Sequence, residues 1–331
     1  AERIAGINRF RAMHLGAHVA SAEAFNLVPA AELAKGLPRL LEGPLTQRRA
    51  QGFAVSGDDL PLVSVIIRSM DRPTLDEALD SLVMQTYPNI EVVLVNAKGP
   101  DHQSMPACRG RLPLRFVNHG EALSRTRAAN IGLDTARGEY LMFLDDDDWF
   151  EPDHVTKLVD AICQYPEFRL VYTGVQCFDE KREPLPSTFT YPFDQVRLLA
   201  GNYIPIHSAL FAKTLLTSGA RFDESFDLYE DWDFWMQLSQ HTSFLFVEGL
   251  SAAYRINPLA GSGVHALSDA ARSATLAVFH KWTRDMPDEK SMSLIEAIRQ
   301  NHERGGHIRH LDRVIAEHGE RVVALTRMLA E

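Results

Sequence analysis

Tyr140-Leu141-Met142-Phe143-Leu144-Asp145-Asp146-Asp147-Asp148-Trp149 is the stretch that decides the fold. Five apolar or aromatic residues run without interruption into four carboxylates. A short, continuous apolar run with a sharp polar boundary reads as a strand buried on both faces. Such strands build parallel sheets, and α/β proteins bind ligands in the crevice beyond the carboxyl ends of their strands. Four adjacent carboxylates repel one another, so placing them at a buried strand end is costly unless a cation neutralises them. Hard oxygen donors suit Mg2+ or Mn2+, ions that also bridge phosphates. The competing reading is a solvated acidic turn. It loses weight because a helix is expected directly afterwards, from Pro152 to Cys163, with proline in its first turn.

Working upstream, Leu62–Ile67 is a second apolar, β-branched run, followed by a helix over Thr74–Thr86 with Leu75, Ala78, Leu79 and Leu82 on one stripe. Strands follow at Ile90–Val95 and Leu114–Val117, then a helix over Ala122–Ala136 with Gly138 as its stop. Downstream, Leu170–Gly174 reads as one more strand. Alternating strands and helices predict an α/β fold, a mostly parallel sheet with helices on both faces. Its crevice would gather Arg68-Ser69-Met70-Asp71-Arg72, Asn96-Ala97-Lys98 and the aspartate run. Residues 1–60 read as a helical extension closed by a Gly-, Pro- and Asp-rich linker, residues 61–258 as the α/β domain, and residues 259–331 as a flexible loop with a helical extension.

The bulk properties narrow the partners. The chain has 331 residues and a formal net charge of −10, which argues against general nucleic-acid binding because phosphate backbones need clustered cations. The three cysteines, Cys108, Cys163 and Cys177, form no CxxC or zinc pattern and fit a reducing compartment. With no signal peptide and no run of ~18 apolar residues, a cytoplasmic protein is expected, with the inner face of a membrane open to it as a peripheral site. The first residue is alanine, so further domains of a longer chain are among the expected partners.

A second polar constellation lies at Phe222-Asp223-Glu224 and Tyr229-Glu230-Asp231-Trp232-Asp233-Phe234-Trp235. Asp227 can cap the helix that starts here, with Glu230 closing a capping-box-like pair. Trp232, Trp235 and Met236 form an apolar stripe that belongs in a core. Asp231 has no structural duty in this scheme. Neighbouring carboxylates raise its proton affinity, as a general base requires, whereas the helix N-terminus lowers it. His207 is either a contact to an acceptor or part of an ordinary polar loop. His302, His307 and His310 have helical ligand spacing but no carboxylate or cysteine support, and read as solvated.

Taken in order, these motifs resemble the family 2 glycosyltransferases, which have the GT-A fold. Val63-Ser64-Val65-Ile66-Ile67, Gln85-Thr86-Tyr87-Pro88-Asn89-Ile90-Glu91-Val92, Ala136–Tyr140 with Phe143–Asp148, and Phe222–Glu224 with Glu230–Asp233 carry the likeness, over roughly residues 61–258. The resemblance implies metal-assisted transfer of a sugar from a nucleotide-diphosphate donor, with uridine as the base, to a hydroxyl of a glycan or glycolipid, with inversion in a single displacement. It implies Asp145 and Asp147 as metal ligands for Mn2+ or Mg2+, with Asp147 in direct contact, and Asp146 at the ribose. It implies Asp231 as the catalytic base and Arg68, Asp71 and Arg125 as nucleotide contacts, with Glu230 and His207 in acceptor or supporting positions. Some GT-A enzymes bring a late histidine onto the metal from a closing loop, which makes His265, beside Gly261-Ser262-Gly263, a further candidate. One departure stands out: where the family often has aspartate after the second strand, this chain has Asn96, which can still offer an acceptor to a uracil N3–H.

Two other classes compete. A sugar-nucleotide nucleotidyltransferase also pairs a carboxylate cluster with an α/β sheet, but it needs a glycine-rich phosphate loop, and residues 68–72 contain no glycine. A non-catalytic sugar-binding module would have no use for both the aspartate run and Asp231. A dehydrogenase fails because no GxGxxG follows the first strand.

Overall fold

The computed structural model describes residues 60–256, 269–297 and 299. The expectations for the N-terminal extension, for the loop at 259–267 with His265, and for His302, His307 and His310 lie outside these residues.

The element order begins β1 (Val63–Ser69), α1 (Leu75–Val83), β2 (Ile90–Asn96), β3 (Cys108–Arg109), β4 (Leu112–Val117), α2 (Arg125–Thr135), β5 (Tyr140–Phe143) and β6 (Trp149–Phe150). It continues with α3 (His154–Gln164), β7 (Leu170–Phe178), β8 (Pro184–Phe189), α4 (Gln195–Ala200), β9 (Ala209–Ala212), α5 (Glu230–Ser239), β10 (Phe244–Arg255) and α6 (Asp269–Thr283). One sheet joins them in the order β3-β4-β2-β1-β5-β9-β7-β10-β6, with β8 also on β7. Strands β4, β2, β1 and β5 run parallel. Beyond them β9 is antiparallel to both β5 and β7, and β6 is antiparallel to β10. The sheet is therefore mixed: its longer pairings are parallel, as expected, including β7 with β10, and the antiparallel ones are short.

Period-2 geometry explains why the parallel strands are apolar throughout. In β1, Ile66 enters one core while Val63, Val65 and Ile67 enter the other. In β2, Val93 and Val95 oppose Val92 and Leu94 in the same way. Helices cover both faces: α2, α4, α5 and α6 on one side, α1 and α3 on the other. Helix α1 buries the expected Leu75, Ala78, Leu79 and Leu82.

Helix α2 starts at a Ser124 cap and ends at Thr135, so Gly138 is not its stop. A Cβ on Gly138 would lie 2.6 Å from Ser64 N and 2.7 Å from Leu62 O, so glycine is there to let the chain cross β1 at close range. Among the described residues, no helix is long and apolar enough to cross a membrane.

Candidate active site

Strands β1, β2 and β5 run in one direction, so their carboxyl ends deliver Ser69, Asn96 and the aspartate run to one rim. After β5 the chain turns tightly, with Asp148 N donating to Asp145 O at 3.2 Å. The turn sends the four carboxylates in different directions. Asp145, Asp147 and Asp148 offer oxygens that all lie within 4.8 Å of one another. Asp146 is fully buried and accepts from Met70 N at 2.7 Å and from Arg72 Nη1, pinning the loop after β1. Both its oxygens are thus engaged inside the protein.

The three gathered carboxylates have unequal proton affinities. Burial works against ionisation of Asp145, but Arg68 and Arg125 outweigh it and hold this carboxyl below its usual range. Arg68 donates to Asp145 at 2.7 Å and to Glu230 at 2.8 Å, and is itself nearly buried. Burial and then Asp145 push Asp147 up to about 6. Burial, then Asp147 and Asp145, raise Asp148 well above the ordinary value, and its Oδ2 is buried with no hydrogen-bond partner. Three converging carboxylates, two with raised proton affinity and one with an orphaned oxygen, fit a hard divalent cation. Asp145, Asp147 and Asp148 would hold it. Asp148 was legible as part of the run but carried no assigned role, because nothing in the sequence says which of four successive aspartates a turn will aim inward.

His207 sits on a 3-10 turn (Ile206–Ser208) and is buried, which overturns its reading as a polar loop residue. Its Nδ1 lies 3.2 Å from Asp148 Oδ2 without hydrogen-bond alignment, its Nε2 has no partner, and burial lowers its pKa to about 4. A neutral imidazole therefore backs the carboxylate cluster.

Helix α5 brings in the other catalytic candidate. Its cap is Tyr229, in the left-handed region at φ 61, with no side-chain cap bond. The expected Asp227–Glu230 capping box is replaced: Glu230 is buried and faces Arg68 instead. The strained Tyr229 turns the chain so that Glu230 and Asp231 enter the cleft together, while Trp232, Trp235 and Met236 fill the core as expected. Asp231 is half-buried and accepts from Asn202 Nδ2 at 2.8 Å. Burial first, and the adjacent Glu230 second, push its pKa up to about 7, against the pull of Arg68. The helix N-terminus does not win that contest.

Two adjoining cavities share Arg68, Arg125, Asp145 and Tyr254 in their walls. One, of about 280 Å³, is flanked by Arg72, Asp147 and Arg255. The other, of about 330 Å³, holds Asp231, Glu230 and His207 with Phe189, Tyr203 and Thr275. The remaining nucleotide candidates sit differently. Asp71 is a left-handed residue whose carboxylate accepts from Lys98 at 3.0 Å; burial opposes its ionisation, but Lys98, the Gln103 N–H and His102 together keep its pKa low. Asn96 is fully buried, donating to Gly99 O and Asn118 Oδ1 and accepting from Gly99 N. These bonds engage the amide in shaping its own loop.

A carboxylate cluster beyond β5, the last of four adjacent parallel strands, facing a second carboxylate across a cleft, is the layout of a GT-A fold. Residues 64–215 match the family model "Glycosyl transferase family 2". The match ends before Glu230 and Asp231. An uncharacterized glycosyltransferase of Bacillus subtilis (strain 168), YwdF, is 28% identical over 238 residues, 69% of this chain and 83% of that one. An uncharacterized glycosyltransferase of Haemophilus influenzae is 26% identical over 193 residues, 55% of this chain and 64% of that one, just under two thirds of its length. In structure, the S. aureus TarS fragment in complex with UDP-GlcNAc superposes with a TM-score of 0.53 at 17% identity, covering 70% of each chain, a likeness of fold.

Proposed function

We propose that this protein is a metal-assisted, inverting glycosyltransferase of the hexosyl-transferring type, with a UDP-sugar as donor and a hydroxyl of a glycan or glycolipid as acceptor. The observation that carries the proposal is the pair of adjoining cavities, one edged by the aspartate cluster and the other by Asp231, meeting at Arg68 and Asp145. The chemistry requires that layout: a leaving diphosphate on one side, an entering hydroxyl on the other, and the anomeric carbon between them. UDP-GlcNAc bound to the structurally similar TarS supports the choice of donor.

In this reading Asp231 accepts the acceptor's proton as the hydroxyl oxygen forms its bond to the anomeric carbon. The bond from that carbon to the diphosphate breaks on the opposite face, and UDP departs with the electron pair. A carboxylate poised near pH 7 is a matched base for this step. Asn202 fixes one carboxylate oxygen, and Glu230 raises the proton affinity of the other group while staying locked on Arg68. Arg125, within 3.7 Å of Glu230, and Arg72 line the donor side as counter-charges. Held by Asp145, Asp147 and Asp148, Mn2+ or Mg2+ would neutralise the charge that builds on the leaving diphosphate. His265 remains a proposed additional contact to that ion. The match to the glycosyltransferase family model over residues 64–215 supports this reading over the nucleotidyltransferase one.

The test is direct. Incubation with a panel of UDP-sugars and Mn2+ should release UDP from at least one of them. The anomeric coupling constant of the product of an α-linked donor should be that of a β-glycoside. Retained configuration would overturn the single displacement, and no turnover of any nucleotide sugar would favour a non-catalytic module.

A further inference from the structure

The amino-terminal edge of the parallel strands carries a second concavity, of about 620 Å³, bounded by Arg111, Arg115 and Arg137 with Asn89, Glu91 and Pro113. The active site sits at the other edge of the same strands. Seven residues of β1 at ~3.3 Å each separate the two by roughly 20 Å. The arginines differ from those around the active site. Arg68, Arg72 and Arg255 all face carboxylates. Arg111 instead donates to the backbone oxygens of Pro88, Gln85 and Tyr87, and burial lowers its pKa with no carboxylate to oppose it. Arg115 and Arg137 have no carboxylate partner among the described residues. Glu91 is the one acid in the wall, and its Oε1 already accepts from Ser64 Oγ and Arg137 N.

Three guanidiniums against one engaged carboxylate leave an unneutralised positive concavity in a chain of net charge −10. An arrangement of this kind is costly to leave empty, because like charges repel and the half-buried Arg111 has lost hydration. Guanidinium forks match the oxygens of a phosphate group bidentately. We propose that this concavity is a binding site for a phosphate-bearing anion, separate from the donor and acceptor cavities, with Arg115 and Arg137 as its accessible ligands and Arg111 as its floor.

Arg111 ties down residues 85–88, so the test leaves it intact and uses the double variant Arg115→Gln/Arg137→Gln on the full chain. Inorganic phosphate is titrated calorimetrically without divalent metal. Sedimentation with phosphatidylglycerol vesicles, against phosphatidylcholine vesicles, distinguishes a lipid headgroup from a free phosphate. Phosphate binding weakened about tenfold or more in the variant, with UDP binding in Mn2+ unchanged, is the expected result. Binding seen only with phosphatidylglycerol vesicles and lost in the variant supports the same site with a lipid headgroup as its source. Absence of binding in both arms, or equal binding by the variant, overturns the proposal.

Discussion

Asp231 and Asp147 owe their raised proton affinities to the same two causes, burial and a neighbouring carboxylate, yet the proposed roles for them are opposite. A base must reach the chemical step ionised, so kcat/KM should rise with pH through a midpoint near 7 and level off above it. Asp231→Asn keeps the Asn202 contact but cannot take a proton. Transfer should fall by about 10²–10⁴, with UDP affinity nearly intact, and wild-type turnover by this variant would dismiss the assignment. The linkage sign follows from the same shift. With its folded pKa above the unfolded one, Asp231 binds more protons folded than unfolded between about pH 4 and 7, so its ionisation costs stability as pH rises through that window. Asp231→Asn should therefore raise the thermal midpoint at pH 8 by a few degrees and by less at pH 5. For Asp147→Ala the expected loss is the Mn2+-dependent part of UDP binding, measured by titration with and without metal. Unchanged metal dependence would take Asp147 out of the ligand set. The run itself was legible in the sequence, but its internal geometry was not. Strand periodicity stops at Phe143, and the following turn buries Asp146 while gathering Asp145, Asp147 and Asp148. The loop bonds of Asn96 were illegible for a related reason: its side chain closes a loop whose backbone partners are invisible to pattern reading.

The elements that were readable are those with uninterrupted burial. Strands β1 and β2 are buried at every position, and α1 shows a clean stripe. The second half of the sheet lacks such signals. Strand β9 has four residues between two 3-10 turns, β8 is mostly exposed, and β10 carries a register shift where Glu248, Gly249 and Leu250 are exposed. Neither alternation nor a long apolar run survives those interruptions, so of the second half only β7, at Leu170–Gly174, was read. Helix α5 shows a different override. Its cap chemistry predicted a role for Glu230 at the helix start, but the guanidinium of Arg68, 162 positions away in sequence, offers a stronger partner. On the same helix Asp233 is fully buried and accepts from Trp282 Nε1 at 2.9 Å and Lys281 Nζ at 3.0 Å, while Lys281 also reaches Asp223 at 2.7 Å. These bonds clamp α6 across the helix that presents Asp231. Asp233→Ala strands a buried indole N–H and should lower unfolding stability by about 1–3 kcal/mol in urea titration. Transfer should be lost more than UDP binding, because the clamp acts on the Asp231 side. A variant with unaltered urea midpoint would show that the clamp contributes nothing to stability.

Across the whole molecule, the division of labour runs along the sheet. Its carboxyl edge carries the proposed chemistry, and the donor-side cavity is walled wholly by residues between Arg68 and Arg255. The acceptor-side cavity is not, since Thr275 of α6 closes part of it. The expected domain limit near residue 258 therefore cuts through a working unit. Helix α6 buries Ala271 and Val278, packs Phe279 and Trp282 on the larger core, with Met286 just beyond it, and supplies two of the three side-chain partners of Asp233, the third being Gln237 of α5. Burying one large apolar side chain is worth about 1.5–3 kcal/mol, so removing several exceeds the loss that most single substitutions cause. A chain truncated after residue 256 should unfold at a clearly lower urea concentration than the full chain. Wherever it remains folded, it should still bind UDP, because every wall of the donor cavity is retained. Transfer should fail, because the acceptor cavity has lost a wall and Asp233 keeps only Gln237 of its three side-chain partners. Equal midpoints and equal transfer rates for the two chains would restore the boundary near 258 and reduce α6 to an appendage.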